Sequence, residues 1–377
     1  MEGLETQIYS IVGHEFNIGS NKQLAHVLYE ELGLEPPKET DSGQASTAKD
    51  ALAELKNDHE VIPLLLDHSK YATLVSLVTS NWPDHISPHT GRMHGSFKIT
   101  STNTRRLSAG DPNLQNVPRR SEEGGEIRKC IIAPEGRSLV VQDMSQIEYR
   151  LLAHVCGSKV MRKMFRDGHD FHAAMAADVL GGNWKDYKDQ KRHPELYAHR
   201  DSFKTVNFGI IYEIGYRSLA RQIGKPEKYA YRLLADYNER FPEIGEWKNN
   251  VKAYARKSGY VETLFGSRIH VPFIRLSDKA MQSYGERQAV NAVIQGTAAD
   301  MMRLAMAKVH RRLKKFNQAY LLLSVHDELV AECRDEDAEE VRLMMKETIE
   351  TCADKYIDWS IPIVSEGDHG KSWGEAK

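Results

Sequence analysis

The chain has 377 residues, of which 28% are charged and 41% hydrophobic, and its formal net charge is −2. This length allows two or three domains, and the composition indicates a soluble globular protein. No apolar run approaches the ~18 residues that a membrane span needs, and the first residues lack the profile of a signal peptide. We therefore expect a cytoplasmic protein with no membrane partner.

The cysteines narrow the class of protein further. They are far apart in the sequence and form no CxxC pair: Cys130, Cys156, Cys333 and Cys352. This spacing predicts neither a disulfide framework nor a zinc site. Free cysteines of this kind fit a reducing compartment.

The near-neutral charge gives no global sign of nucleic-acid binding, but it does not exclude binding, because local clusters of basic residues decide. Three clusters occur, at Arg105-Arg106, at Arg119-Arg120, and at Arg200 with Lys204. A lone pair of arginines is usually a solvated surface feature, so each cluster by itself indicates little.

The first ~85 residues have helical periodicity. One helix is predicted over 19–33, with Ser20 or Asn21 as its N-cap and Gly33 after its end. Ser46 is the candidate N-cap of a second helix over 47–57. A third helical run spans about 64–81.

The rest of the chain mixes strands with helices. Residues 91–118 are strand-like and rich in turn residues, and RSLVVQD, 137–143, is predicted to be a strand. Residues 144–310 are mostly helical. The C-terminal part alternates between a hairpin near 326–328, a helix over 336–353 and a strand over 361–366. Breaks in the helical region are predicted near Gly181-Gly182, Pro226, Pro242 and Pro272. Helices on an antiparallel sheet make an α+β fold.

The stretch LLLSVHDELVAE, residues 321–332, places three titratable residues between two apolar runs. The runs predict two short buried strands, with His326, Asp327 and Glu328 at their turn. A charge near a core costs several kcal/mol unless it is paired or binds a metal. An acidic hairpin tip that faces water explains the stretch equally well, so this stretch alone does not decide.

A second carboxylate, Asp143, follows the predicted strand at the start of a helix. An Asp at such a junction is often an N-cap. If Asp143 and Asp327 converge in space, the pair would suit Mg²⁺, which prefers oxygen ligands and substrate phosphates. Two such ions can stabilise both oxygens of a phosphoryl transfer. The two residues are 184 positions apart (327 − 143), so spacing does not show convergence.

The segment 199–215 carries two cations and two aromatic rings at steps of four residues. On a helix, Arg200, Lys204, Phe208 and Tyr212 would form one stripe. An amphipathic helix with its rings in the core and its cations in solvent explains the stripe. A nucleotide clamp explains it too, because Arg and Lys bind phosphate well and the rings would lie against sugar and base.

The chain resembles the polymerase core of family A DNA polymerases, the bacterial DNA polymerase I type, from about residue 15 to its end. The resemblance implies a right-hand fold with an antiparallel-sheet palm, helical fingers and a shortened helical thumb. It implies a truncated thumb over 1–85, palm over 86–157 and 286–377, and fingers over 158–285. Five blocks in order carry it: TNTRRLSAGDPNLQNVP (102–118), VVQDMSQIEYRLLAH (140–154), RDSFKTVNFGIIY (200–212), ERQAVNAVIQGTAAD (286–300) and SVHDELVAE (324–332).

By this resemblance the chain is a template-directed DNA polymerase that extends a primer 3′ end from deoxynucleoside triphosphates and releases pyrophosphate. Asp143 and Asp327 match the two metal-binding aspartates, which would hold two Mg²⁺ ions, with Mn²⁺ as a substitute. Glu328 matches a weaker acidic contributor. Lys204 matches a triphosphate ligand that could also protonate the pyrophosphate. Positioning and charge stabilisation are the main needs of phosphoryl transfer.

The resemblance also implies binding roles for other residues. Nucleotide contacts are implied for Arg200, Lys204, His172 and Gln146, with Phe208 on the deoxyribose, Tyr212 near the nascent pair and Glu148 as a steric gate against ribose. Without a hydroxyl, Phe208 is expected to disfavour dideoxynucleotides relative to a Tyr. Contacts to primer-template DNA are implied for Arg106, Asn113, Gln115, Asn116, Arg287, Asn291, Gln295 and His326. Minor-groove contacts of this kind test the shape of a base pair, and phosphate contacts position the duplex.

Some positions depart from the family pattern. Glu213 follows Tyr212 where Gly is usual, and we expect its bulk and negative charge to change template handling, fidelity or translocation. Val293 replaces a Pro, and Ser267 replaces an Arg. The chain also lacks room for a proofreading domain, so we expect no 3′→5′ exonuclease activity. We also expect weak processivity unless a processivity or exonuclease partner chain binds. Either a phage-like minimal enzyme or a fragment would explain this length.

Two other functions stay open at this point. One is a non-catalytic DNA-binding scaffold subunit of a replication complex, which has no need of metal ligands. The other is a metal-dependent nuclease or phosphohydrolase, which shares the carboxylates but does not explain the triphosphate helix or Glu148.

Overall fold

A computed structural model of the protein describes residues 1–40, 43–118 and 122–376. The chain divides into two units, Met1–Gly95 and Ser96–Lys377. The basic pair Arg119-Arg120 lies outside the described residues.

The first unit is helical, as its periodicity predicts. Its core is made by the apolar faces of the helices, with Ile8, Leu28, Ile62 and Leu65 at most 2% exposed. Its helices are α1 (Glu2–Val12), α2 (Asn21–Ala25), α3 (Lys49–Glu54), α4 (Val61–Ser76) and α5 (Trp82–Asp84), with π-helical turns at His26–Glu31 and Leu77–Asn81.

The predicted ends of these helices are partly right. The Ser20 side chain accepts a hydrogen bond from the backbone N–H of Gln23, so it caps α2 as predicted. Gly33 follows the π-helical turn with φ 64°, where glycine is unstrained. The prediction that Ser46 caps the next helix is wrong, because Ala48 precedes α3 and the Ser46 hydroxyl accepts from the Ala48 N–H instead.

One helical stretch of the described residues, Val61–Asp84, is long and apolar enough to cross a membrane, with a mean hydropathy of 1.2. The prediction that no apolar run approaches the length of a membrane span is therefore wrong for this stretch. The core helices of soluble proteins pass the same test, and Val61, Ile62 and Leu65 of this stretch pack in the core of the unit. The stretch is weak grounds for a membrane span.

The second unit carries the remaining elements. Its helices are α6 (Glu122–Lys129), α7 (Ile147–Cys156), α8 (Lys159–Arg166), α9 (Phe171–Leu180), α10 (Trp184–Lys188), α11 (Pro194–Ile211), α12 (Tyr216–Ile223), α13 (Glu227–Arg240), α14 (Pro242–Ser258), α15 (Lys279–Leu313) and α16 (Ala338–Glu350). Its strands are β1 (Ser96–Lys98), β2 (Ser108–Gly110), β3 (Arg137–Met144), β4 (Tyr260–Glu262), β5 (Arg268–His270), β6 (Tyr320–Val325), β7 (Glu328–Arg334), β8 (Ser365–Glu366) and β9 (His369–Gly370). Short 3-10 turns lie at Leu114–Asn116, Pro272–Arg275 and Asp335–Asp337.

An antiparallel sheet forms the centre of this unit. Its order is β6-β7-β3-β8, and β9 also pairs with β3. Strand β3 is almost entirely buried, which fits its apolar run from Leu139 to Val141. Helices α15 and α16 pack against this sheet. The α+β class predicted from the sequence is confirmed.

Most of the predicted strands and breaks are confirmed. The strand at 137–143 and the hairpin around 326–328 are present, and α13 and α14 begin at the predicted prolines. The β4–β5 hairpin was not predicted, because each strand has only three residues inside a helical region. Of the strand predicted over 361–366, only Ser365–Glu366 pairs; Ile361 and Ile363 are buried outside the sheet.

Candidate active site

Of the two predicted metal-binding aspartates, Asp143 lies on β3, and Asp327 lies in the β6–β7 turn directly before β7. Asp143 in β3 stands opposite Glu328 in β7, and the backbone N–H of Met144 donates to the carbonyl of Asp327 over 2.8 Å. The backbone ladder therefore brings residues 143 and 327 together, although 184 positions separate them (327 − 143). The alternative role of Asp143 as an N-cap is wrong, because Gln146 occupies that position of α7.

The turn between β6 and β7 is tight. His326 has φ 53°, a left-handed conformation that is uncommon for a residue with a side chain. Strain of this kind persists only where the surrounding structure holds it, often at functional sites. Burial lowers the pKa of His326, and the cations of Arg106 and Arg128 lower it further.

Glu328 is 2% exposed, so it is not part of a tip that faces water. The indole N–H of Trp373 donates to Glu328 Oε1 over 2.6 Å, and Arg128 Nη1 lies 3.5 Å from the same oxygen. The Arg128 guanidinium also stacks 4.0 Å from the Trp373 ring centre. A buried charge that is paired in this way is tolerated. The network ties the start of β7 to the C-terminal segment and to α6, and a direct catalytic role for Glu328 stays a prediction.

Arg106 links the turn to the start of α7. Its Nη2 atom lies 2.7 Å from Glu148 Oε1 and 3.5 Å from Asp327 Oδ1. Burial alone would lower the pKa of Arg106, but the two carboxylates outweigh burial and the pKa is raised. Arg106 is therefore a fixed cation beside one of the two aspartates.

Glu148 also connects to the end of α11. It is 6% exposed, and the Tyr212 hydroxyl donates to its Oε2 atom over 2.6 Å. The Gln295 amide donates to the same hydroxyl over 2.9 Å. Burial and the Glu148 carboxylate raise the pKa of Tyr212 above its usual value, which keeps the hydroxyl protonated. Glu148 and Gln295, predicted from separate sequence blocks, thus meet at Tyr212, which comes from a third block.

Three residues of the predicted stripe, Lys204, Phe208 and Tyr212, line a cavity of about 770 Å³, and Arg200 is not among its lining residues. The rings of Phe208 and Tyr212 lie nearly parallel, with centres 6.2 Å apart. Both rings are half-buried, so the reading in which they belong to the core holds only in part. The cavity is lined by Lys204, Thr205, Phe208, Gly209, Tyr212, Glu213, Ile214, Gly215, Ser218, Gln222 and Arg287.

Arg200 is held by a residue that the sequence analysis missed. Its guanidinium lies 2.6 Å from Asp170 Oδ2, and the Gln146 amide donates to the same oxygen over 3.1 Å. Asp170 is 5% exposed and caps α9 by accepting from the Ala173 N–H. Burial opposes ionisation, but Arg200 outweighs it, and the pKa of Asp170 is lowered. An Asp directly before a helical run is the signal that could have revealed it.

His172 is 2% exposed, and Asn207 lies 3.0 Å from its Nδ1 atom. Its ring packs edge-on against Tyr149 with centres 4.7 Å apart. The His172 ring is therefore buried and does not face solvent. Its role as a phosphate contact stays a prediction.

The residues predicted to contact DNA lie in three places: beside the β6–β7 turn, at the 3-10 turn Leu114–Asn116, and on α15. The Gln115 amide donates to the Ser324 carbonyl over 2.9 Å, which anchors the 3-10 turn to β6. The side chain of Asn113 caps that turn, which Asn116 ends. Arg287, which lines the cavity, and Asn291 lie on α15; among the described residues, the buried Oδ1 atom of Asn291 has no hydrogen-bond partner. An unsatisfied buried acceptor of this kind fits a residue that meets a ligand.

Glu213 differs from its expected setting. It has φ 55°, and its Oε1 atom lies 2.7 Å from Lys252 Nζ on α14. Both side chains are mostly buried, at 20% and 17% exposure. The negative charge expected to face a template is therefore neutralised by a cation of the protein.

Among the described residues, no group of three or more His, Cys, Asp or Glu side chains forms a metal site. Asp143 and Asp327 provide two carboxylates, and this donor set fits Mg²⁺, which often binds one or two carboxylates and takes its other ligands from water and substrate phosphates. The same donor set does not fit zinc, which prefers nitrogen and sulfur ligands.

The fold and the paired aspartates define the class of protein, and the comparisons with known proteins agree. The family model for DNA polymerase family A matches residues 1–375. The thermostable DNA polymerase I of Thermus filiformis is 39% identical over 100% of this chain and 44% of its own length. The DNA polymerase I of Pseudomonas aeruginosa is 39% identical over 100% of this chain and 40% of its own length.

A solved structure gives the same answer. It is the POL domain of Pol1 from M. smegmatis in complex with DNA primer-template and dNTP, with a TM-score of 0.88, 31% identity, and coverage of 100% of this chain and 64% of that chain. This chain belongs to DNA polymerase family A. The predicted right-hand polymerase fold with an antiparallel-sheet palm is thereby confirmed, whereas its division into thumb, palm and fingers stays a prediction. The chain spans less than half the length of the two curated relatives.

Proposed function

We propose that the chain is a template-directed DNA polymerase that adds deoxynucleotides to a primer 3′ end and releases pyrophosphate. The observation that carries the proposal is the approach of Asp327, in the turn directly before β7, to Asp143 at the end of β3 through the Met144–Asp327 backbone hydrogen bond, with Arg106 3.5 Å from Asp327. A scaffold subunit has no need of two adjacent aspartates at a strained turn. A nuclease has no need of the cationic and aromatic stripe on α11 beside a cavity of about 770 Å³.

Asp143 and Asp327 would hold two Mg²⁺ ions, with Mn²⁺ as a substitute. Bound Mg²⁺ would lower the pKa of the primer hydroxyl and neutralise charge on the triphosphate. Lys204 and Arg200 would bind the triphosphate, with Lys204 placed to protonate the leaving pyrophosphate. Phe208 would lie against the sugar. Because these side chains mostly position groups and stabilise charge, no covalent intermediate with the protein is required.

Glu148 is proposed as the steric gate against ribonucleotides. Its carboxylate is fixed from two sides by Arg106 and Tyr212, at 2.7 and 2.6 Å, so it cannot easily move aside. Glu148→Gln keeps the volume and removes the charge, whereas Glu148→Ala removes both. If volume excludes ribose, the ratio of deoxy- to ribonucleotide incorporation falls by about tenfold or more in the Ala variant only. An equal loss in both variants would show that the charge network, not volume, makes the selection.

The proposed function is tested by extension of a labelled primer on a DNA template with Mg²⁺ and deoxynucleotides, beside Asp327→Ala. We expect templated extension by the intact chain and none by the variant. Duplex binding without extension would favour the scaffold. Shortening of the strands in the same gel would favour the nuclease.

The remaining roles are proposals of the same kind. We propose no 3′→5′ exonuclease for this chain, checked by incubating it with a mismatched primer without nucleotides. We also propose weak processivity, a processivity or exonuclease partner chain, and a cytoplasmic location. Products from a single binding event, with and without a DNA trap, measure the processivity.

A further inference from the structure

The end of α11 is fastened to α14 at two points. Lys252 Nζ lies 2.7 Å from Glu213 Oε1, and one turn earlier Lys248 Nζ donates to the carbonyl of Ile210 over 2.6 Å. Lys248 is 8% exposed. Carbonyls at the C-terminal end of a helix have no partner within the helix, and a cation is favourable there. The contact at Ile210 is therefore a helix-end interaction, while the contact at Glu213 is a side-chain ion pair outside the helix.

Glu213 adopts its left-handed backbone at a cost that glycine would not have. Its φ of 55° is a conformation that L side chains rarely adopt. Such a residue persists where its surroundings over-determine it. The mostly buried ion pair with Lys252 stabilises this conformation. The Glu213 side chain therefore makes the backbone conformation unfavourable and, through Lys252, also fixes it.

Tyr212 lies between the Glu213–Lys252 ion pair and a second set of contacts, the hydrogen bonds of its own hydroxyl. Its hydroxyl is held by Glu148 at 2.6 Å and by Gln295 at 2.9 Å, and its backbone is bonded to Glu213. Tyr212 and Glu213 both line the cavity. A change in the Glu213–Lys252 pair therefore acts on the position of the Tyr212 ring in the cavity wall.

We propose that Glu213 and Lys252 are positioning residues that fix Tyr212 in the wall of the nucleotide cavity and thereby tune selection of the incoming nucleotide. This inference rests on the proposed polymerase function. Neither residue touches the reacting atoms. The pair acts through Tyr212, so its loss affects nucleotide affinity and selection before it affects the rate at saturation.

The first arm of the test needs no activity. Hydrogen–deuterium exchange is measured on the peptide covering 208–215 in the intact chain without nucleotide, in Lys252→Met, Lys252→Arg and the control Lys163→Met. Lys163 forms a 2.6 Å ion pair with Asp167 on the surface of the same unit. We expect faster exchange in Lys252→Met and wild-type exchange in the other two. Unchanged exchange in Lys252→Met overturns the proposal.

The second arm is single-turnover insertion with the same variants and Glu213→Gln. We expect the dissociation constant for the correct nucleotide to rise about three- to tenfold in Lys252→Met and Glu213→Gln, with less change in the maximal rate. Lys252→Arg should restore the wild-type value. Faster exchange with unchanged affinity and misinsertion overturns the selection role. If the wild-type chain does not extend a primer, the proposed function fails, and the exchange arm alone decides whether the pair positions Tyr212.

Discussion

The β6–β7 turn and the end of α11 both gather predicted side chains, but they do so by different means. At the turn, the backbone ladder between β3 and β7 brings Asp143 and Asp327 together. Within α11 and just after its end, side chains from other elements do this work: Asp170 holds Arg200 inside the helix, and Lys252 holds Glu213 beyond it. Because the strand pairing acts through the backbone, we expect substitutions of neighbouring side chains to disturb the turn less than the α11 region.

The largest expected effect tests the site at the turn. Asp143→Asn and Asp327→Asn should each lower the single-turnover rate by at least about 10²–10³-fold. If the two carboxylates share two ions, as proposed, they act as a unit, and the double variant should be little worse than either single variant. Additive losses in rapid-quench measurements would contradict a shared metal site. Duplex affinity, measured by fluorescence anisotropy, serves as the control for folding.

The next effect tests an ion pair of the α11 region. Asp170→Asn should destabilise the chain by up to about 3–5 kcal/mol near neutral pH, because it removes the 2.6 Å partner of the mostly buried Arg200 and leaves its weaker contact with the exposed Asp201 at 3.4 Å. The folded-state pKa of Asp170 is lowered, so its stabilisation is present above the unfolded-state value near 3.9 and is lost as pH falls through the folded value.

The measurement is urea unfolding of wild type and Asp170→Asn between pH 2.5 and 7. The difference in unfolding free energy should shrink as the solution becomes more acidic. A difference that stays constant with pH would mean that the charge of Asp170 is not what stabilises the fold. Asp167→Asn, at an exposed ion pair with Lys163, is the matched control and should leave the free energy of unfolding nearly unchanged.

The smallest effect concerns the support behind the turn. Trp373→Phe should cost about 1–3 kcal/mol, because the buried Glu328 carboxylate loses a donor at 2.6 Å. Trp359→Phe is a matched control, since the buried indole nitrogen of Trp359 has no hydrogen-bond partner among the described residues. Equal losses of unfolding free energy in the two variants would show that ring volume, not the hydrogen bond to Glu328, is what matters.

The same comparison explains what the sequence could predict. The hairpin at 326–328 and strand β3 were predictable because alternating apolar runs and turn residues are local signals. The blocks that resemble the family then identified Arg106, Glu148, Tyr212 and Gln295, which do meet in the structure.

The supports were not predictable. Trp373 and Lys252 have no local signal, because their partners lie far away in the sequence and only the fold brings them near. For the same reason the pairing of Glu213 with Lys252, which neutralises its charge, was not predicted. Side-chain pairing between distant elements is the part of the site that a single sequence reveals least.

The position of β3 in the sheet has a consequence for how the protein is made. This strand pairs with residues 328–334 on one side and with residues 365–370 on the other. Until residues 328–334 and 365–370 have been synthesised, the nascent chain carries Asp143 on a strand that has no neighbouring strands to pair with. Contacts between residues so distant in sequence form slowly. The carboxylates therefore meet only after residues 328–334 have been made, so a chain interrupted before them has an apolar strand to shield and no assembled site.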